Sequence, residues 1–230
     1  MARTAISCSP RGWMVPSNEV VYIVDDDPAV QQALRLSFRS VGYKAEVFAS
    51  AAQFLGVYNE HLSGCILLDV RMPDMSGLEL QEKLNQKHSI LPIIFMTGHG
   101  DVAMAVSAMQ SGALDFIQKP FNDQDLIDRV AQAIGRDTHN RSVLQEKHEI
   151  RKRLESLTPR EREIMDMVVD GKANKVIAGD LQLSQRTVEI HRARVMEKML
   201  ATSLAHLVRM VIAVDESEAG DLGVTKLTRA

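Results

Sequence analysis

The segment Cys65-Ile66-Leu67-Leu68-Asp69-Val70-Arg71-Met72-Pro73-Asp74-Met75-Ser76-Gly77-Leu78-Glu79-Leu80 decides the fold. Its first four residues form an uninterrupted apolar run, the pattern of a strand covered on both faces in a parallel sheet. Asp69 then stands at the strand's carboxyl edge, where the chain leaves an open α/β sheet and a crevice forms. Met72 to Gly77 is rich in turn-forming residues and reads as a loop, with Ser76 placed to cap the helix that follows. A lone strand-end aspartate most simply caps a loop; what gathers around this one changes the reading.

Short apolar runs at Val20–Val24, Lys44–Phe48, Cys65–Asp69, Pro92–Thr97 and Ala113–Ile117 alternate with amphipathic segments. This alternation predicts a doubly wound, flavodoxin-like α/β fold with five parallel strands. Right-handed crossovers collect all the carboxyl ends on one side. Asp25, Asp26 and Asp27 follow the first strand, Asp69 ends the third, Thr97 ends the fourth, and Lys119 follows the fifth, just before Pro120. Clustered carboxylates repel, so a partly desolvated group needs a cation. Mg²⁺ suits all-oxygen ligands and one or two carboxylates plus a phosphate. With such an ion, a carboxylate can attack a phosphoryl donor, while Lys119 pairs with the phosphoryl group and Thr97 donates a hydrogen bond to it. Asp27 reads as the N-cap of a helix opening at Pro28, and Phe116 taken alone reads as a core residue.

A chain of 230 residues with 45% hydrophobic and 25% charged residues has the composition of one or two globular domains. No apolar run approaches the roughly 18 residues of a membrane span. Residues 1–18 lack the apolar stretch of a secretory signal and read as a disordered tail, with Met14 an alternative start. Cys8 lies in that tail and Cys65 in a buried strand, so a disulfide framework is not expected and a reducing cytoplasm fits. The net charge of −3 conceals an asymmetry: 19–136 holds 9 Lys/Arg against 15 Asp/Glu, while 156–213 holds 9 against 7. The second half therefore carries a hint of nucleic acid as partner.

Residues 137–156 are highly charged and read as a solvated linker helix in preference to a coiled coil, although Val143, Ile150 and Leu157 are spaced seven apart. Thr158-Pro159-Arg160-Glu161 announces a helix with a capping box. A short helix from Asn174 to Leu181, a turn at Gln182-Leu183, a longer helix capped by Ser184 and reaching Met199, and a last helix from Leu204 to about Ala213 follow. A short helix, a tight turn and a longer helix with arginines is helix-turn-helix geometry. On the longer helix Val188, His191, Val195 and Met199 recur at helical spacing and should pack inward. Arg186, Glu189, Ile190, Ala193 and Glu197 lie opposite. Ile190 and Ala193 could meet thymine methyls and Glu189 accept from cytosine. Arg186, Arg192, Arg194, Lys198 and Lys175 suit phosphate contacts.

Val24-Asp25-Asp26-Asp27, Leu68 to Gly77, Met96-Thr97-Gly98-His99-Gly100-Asp101 and Phe116-Ile117-Gln118-Lys119-Pro120-Phe121 resemble the four motifs of a two-component receiver domain. Leu157 to Glu163, Asn174 to Ala178 and Ser184 to Arg194 resemble the LuxR-type helix-turn-helix. Together they resemble the FixJ/NarL class of response regulators, and more closely its FixJ branch. The resemblance implies a receiver over 19–136, a linker helix over 137–156, a DNA-binding domain over 157–213 and a tail over 214–230. It implies phosphorylation of Asp69 by a sensor histidine kinase and Mg²⁺ held by Asp26 and Asp69, with Asp25 through water and the backbone carbonyl of Arg71. Thr97 and Phe116 are implied as the switch pair, with a cis bond between Lys119 and Pro120. A homodimer formed on phosphorylation, double-stranded promoter DNA contacted also through Thr187, and RNA polymerase complete the implied partners. Arg71 and His99 stand where they could set the lifetime of the phosphoryl group.

Of two rival readings, the first is set aside and only the second stays open. A phosphohydrolase that forms an aspartyl phosphate usually needs a second acid two residues after its nucleophile, and Arg71 occupies that place. A regulator that binds DNA independently of phosphate, using its receiver for protein docking, has the same motifs, since motifs show capacity and not use.

Overall fold

The computed structural model describes residues 7–8, 14–15, 19–98 and 102–221, with side chains over 19–98 and 104–214. Two strands, β1 (Ser7–Cys8) and β2 (Met14–Val15), pair antiparallel. The expected disordered tail is corrected at these four positions, because a ladder needs only backbone donors and acceptors and no apolar pattern. The chain divides into two compact units, Met1–Arg141 and Ser142–Ala230.

In the first unit β3 (Val20–Val24), β4 (Lys44–Phe48), β5 (Gly64–Asp69), β6 (Ile93–Thr97) and β7 (Asp115–Gln118) form a five-stranded sheet in the order β4-β3-β5-β6-β7. Every neighbouring pair is parallel. The expected fold class is therefore the observed one. Residues alternate between the two faces with the period of a strand. Tyr22, Val24, Ile66, Leu68 and Phe95 pack on one face with α2 (Ala51–Val57), α3 (Gly77–Gln86) and α4 (Val102–Gln110). Val21, Ile23, Leu67, Ile94 and Met96 pack on the other with α1 (Pro28–Ser40) and the first half of α5 (Asp123–Glu155). Burying each of these large side chains contributes about 1.5–3 kcal/mol. The last strand starts two residues later than its apolar run suggests. Ala113 N bonds back to Ala108 O at 3.0 Å and completes the end of α4 before the ladder begins.

Local signals place the helix starts. Asp27 accepts from Ala29 N at 2.8 Å ahead of Pro28, and Ser76 with Glu79 forms a capping box at α3. Order in the sheet reverses between β3 and β5, the switch point at which α/β sheets open a crevice.

The second unit is helical, with α6 (Pro159–Val169), α7 (Asn174–Asp180), α8 (Gln185–Lys198) and α9 (Leu204–Asp221). Its core includes Ile150, Leu154 and Leu157, while Asp137 is wholly buried in the first unit. The stretch expected as a solvated linker thus contributes to both interiors, and Ile150 and Leu157 are committed to their own core and not to a dimer seam. The last helix also continues past Ala213, through a buried Val214, to Asp221. The expected tail is corrected there, because Val214 extends the inward stripe of Leu207, Met210 and Val211 at helical spacing.

Candidate functional site

The carboxyl ends of β3, β5 and β7 bring three charged side chains together. Asp25, which is 1% exposed, directs Oδ1 to Asp27 N at 2.9 Å and Oδ2 to Lys119 Nζ at 2.7 Å. Asp69 ends β5, accepts from Lys119 Nζ through Oδ1 at 2.6 Å and from Arg71 N through Oδ2 at 2.8 Å. Lys119 is itself anchored by its backbone N–H on Thr97 O at 2.7 Å, and its bond to Pro120 is cis. Gly77 lets α3 begin this close: a Cβ there would sit 2.2 Å from Asp69 O.

Burial is the largest influence on Asp69 and lifts its carboxyl above the ordinary 3.8, with the Asp25 charge adding to the rise, although Lys119 and Arg71 N pull it down. Burial alone would lower the Lys119 ammonium, but hydrogen bonds and charge from Asp25 and Asp69 outweigh it and raise it. Lys119 therefore stays charged between two carboxylates, one of which is costly to ionise.

The sequence suggested three carboxylates in this crevice, and the structure seats two. Asp26 is exposed, and among the described residues no group of three or more His, Cys, Asp or Glu is arranged to hold a metal ion. Just past the end of β3 the Asp25 side chain is buried beside Lys119, and that of Asp26 next to it is open to solvent at the rim. Thr97 is buried; Phe116 is 43% exposed and lies opposite Phe95 in the ladder. His99 lies outside the described residues.

In the second unit, α8 starts on Ser184, whose Oγ accepts from Thr187 N at 3.0 Å and lies 2.8 Å from the Thr187 hydroxyl. Val188, Val195 and Met199 are buried, whereas Arg186, Glu189, Ile190, Ala193, Arg194 and Glu197 form an exposed face, with Lys175 exposed on α7. His191 is partly buried, as its inward position suggests.

Two of the expected phosphate-contacting cations are used elsewhere. Arg192 donates to Asn174 Oδ1 and ties α8 to α7. Lys198 donates to Glu161 Oε2 at 2.6 Å and to Ser156 O at 3.1 Å. Both lie off the exposed stripe, so their charges satisfy acceptors on neighbouring segments.

The Lys198 hydrogen bond is the main reason that the Glu161 carboxyl falls from 4.5 to about 2, with the Thr158 N–H next. A depressed carboxyl contributes stability above its unfolded value and loses it as pH falls through its folded value. Lys198→Met should therefore lower the stability of this unit by roughly 1 kcal/mol at pH 7, since Lys198 is partly solvated. The difference from wild type should close between pH 4.5 and 2. Thermal unfolding across that range checks it, and a difference that persists at pH 2 would show that packing and not charge is responsible.

A doubly wound sheet with an Asp–Lys–Asp cluster at its switch point, followed by a helix-turn-helix unit, defines a DNA-binding signalling protein. Residues 21–131 match the response regulator receiver domain and 155–211 match the bacterial regulatory proteins of the luxR family. The chain belongs to the FixJ-like transcriptional response regulators of two-component systems. It is 44% identical over 207 residues to the transcriptional regulatory protein FixJ of Azorhizobium caulinodans, covering 90% of this chain and 98% of that one. It is 41% identical over 198 residues to the response regulator TodT of Pseudomonas putida, covering 86% and 87%. Among solved structures, the response regulator StyR aligns with a TM-score of 0.78 at 39% identity, over 85% of this chain and 99% of that one. Full-length FixJ from B. japonicum aligns at 0.54 and 39% identity, over 86% and 98%.

Proposed function

We propose that Asp69 is the phosphoacceptor and that its phosphorylation by a sensor histidine kinase controls dimerisation and promoter binding. The observation that supports this most is the position of Asp69 at the switch point, with one oxygen on Lys119 and the other on Arg71 N. In the reaction Asp69 attacks phosphorus, the P–N bond of a phosphohistidine breaks, and the imidazole nitrogen leaves with the electron pair. Lys119 then exchanges its bond to Asp69 for one to the phosphoryl oxygens. The Thr97 hydroxyl turns toward the new group, and the Phe116 ring moves from its exposed position into the space released.

The oxygen-only donor set fits a hard cation, and Asp25, Asp26, Asp69 and the Arg71 carbonyl would hold Mg²⁺. Bound there, the ion would neutralise charge on the transferring oxygens. On DNA, Glu189, Ile190 and Ala193 would face base edges, while Lys175, Arg186, Thr187 and Arg194 meet phosphates. A cytoplasmic site of action, alongside DNA and RNA polymerase, fits these partners; no helix among the described residues is long and apolar enough to cross a membrane.

The full chain, incubated with fragmented genomic DNA from its source with and without beryllium fluoride and Mg²⁺, tests the reading. Sequence-specific retention that depends on the phosphoryl mimic is expected. Equal retention in both conditions would instead assign the receiver to docking.

A further inference from the structure

One side chain from α1 holds the backbone of the acidic segment and has no part in the site described above. Gln31, partly buried at the end of the first turn of α1, directs Nε2 to the backbone carbonyl of Asp25 at 2.5 Å. A peptide carbonyl only accepts, so the amide nitrogen of Gln31 and not its amide oxygen must face it. The backbone N–H of the same residue donates to Asp27 O at 3.0 Å. Gln31 thus grips the segment at both ends, once through its main chain and once through its side chain.

The other polar atoms of Asp25 are already engaged. Its N–H donates to Phe48 O at 3.2 Å, Oδ1 accepts from Asp27 N and Oδ2 from Lys119 Nζ. The carbonyl of Asp25 and the N–H and Cα of Asp26 belong to one stiff, planar peptide group. With Asp25 seated by its buried side chain, a donor on its carbonyl oxygen therefore also fixes where the Asp26 Cα stands. The two aspartates need this unequally. Asp25 is anchored by Lys119, whereas the Asp26 side chain is exposed at the rim and takes its aim from the backbone that carries it.

We infer that Gln31 is a positioning residue for the Mg²⁺ site, and that its bond to the Asp25 carbonyl presets the Asp25–Asp26 peptide so that the Asp26 carboxylate stands ready for the ion. This rests on the assignment of Mg²⁺ to Asp25, Asp26, Asp69 and the Arg71 carbonyl. Groups that orient a ligand without touching the metal set its affinity strongly, because backbone freedom removed by folding need not be lost again on binding. Gln32, the next residue, is exposed and points about 100° away around the helix, which makes it the matched control.

The test is a calorimetric titration of the full chain, stripped with EDTA, with MgCl₂ alone, alongside thermal unfolding with and without the ion. Gln31→Met keeps the length of the side chain and removes the donor. It is expected to weaken Mg²⁺ binding about tenfold or more, and the rise in thermal midpoint that Mg²⁺ confers should shrink with it. Gln32→Met is expected to bind as wild type does. A residue that merely stabilised α1 would lower the metal-free midpoint and leave the affinity of the folded protein unchanged. Equal affinities for wild type and Gln31→Met overturn the inference and leave the Mg²⁺ assignment standing, and equal weakening in both methionine variants overturns it too. A wild type that takes up no Mg²⁺ overturns the assignment, and the positioning role with it. Should Gln31→Met fail to fold, Gln31→Ala, which also lacks the donor and favours the helix, is judged by the same outcomes.

Discussion

Asp69→Asn is expected to yield a folded regulator that neither takes up a phosphoryl group from acetyl phosphate nor dimerises in its presence. The amide nitrogen cannot act as the attacking oxygen anion, and an amide oxygen is far too weak a nucleophile to replace it. Stability should move little and in the favourable direction. Burial raises the Asp69 carboxyl, so folding works against its charge, and a neutral amide of nearly equal volume removes that penalty. Lys119 keeps its second partner, Asp25, at 2.7 Å. Intact mass after incubation with acetyl phosphate and Mg²⁺ reads the first effect, and thermal unfolding reads the second. A phosphoryl adduct on the variant at wild-type level would sink the assignment. A variant that unfolds would show that the carboxylate holds the crevice together and that its burial is not a net cost.

Gly64→Ala should do the opposite and destroy the first unit while leaving chemistry aside. Gly64 has φ of +130°, and a Cβ there would lie 1.9 Å from Val20 O, 2.7 Å from Val20 N and 2.8 Å from Val20 C. These are backbone atoms of the strand partner, so nothing can swing away. Relief requires separating β3 from β5 at the register pair Val20 and Gly64. That separation also breaks the Gly64 N–H bond to Asp137 and the Val20 N–H bond to Ser63 O. The expected loss is more than about 4 kcal/mol, among the largest single-residue effects and a major share of a domain's stability. Gly56→Ala is the matched control. It lies in α2 with nothing within 4 Å of the added carbon, and should gain about 0.5–1 kcal/mol from helix propensity. All three tyrosines, Tyr22, Tyr43 and Tyr58, lie in the first unit, so near-ultraviolet circular dichroism during urea unfolding follows it. Equal stabilities for the two variants would contradict the close approach.

The convergence of Asp25, Asp69 and Lys119 was legible in the sequence because chain handedness alone collects strand ends on one side. Apolar runs separated by helical patterns suffice to place those ends. The facing of Asp25 and Asp26 was not legible, since adjacent identical residues give no sign of which one turns inward. Arg192 and Lys198 were obscure for a related reason. A cation at a helix surface has the same pattern whether it awaits phosphate or already holds Asn174 or Glu161, from 18 and 37 residues away. The polar stretch around Asp137 read as solvated because its carboxylate is charged, and only the donors converging on it from Ser63, Gly64 and Arg141 make its burial tolerable.

The division of α5 has a consequence for how such chains are assembled over evolutionary time. Its residues up to Arg141 belong to one interior and Ile150 and Leu154 to the other, so the interchangeable modules are joined within a helix and not at a loop. A recombination that cut where the helix-turn-helix motif begins, near Leu157, would strip two apolar residues from the recipient's core. One that cut between Arg141 and Ile150 would carry each interior over complete.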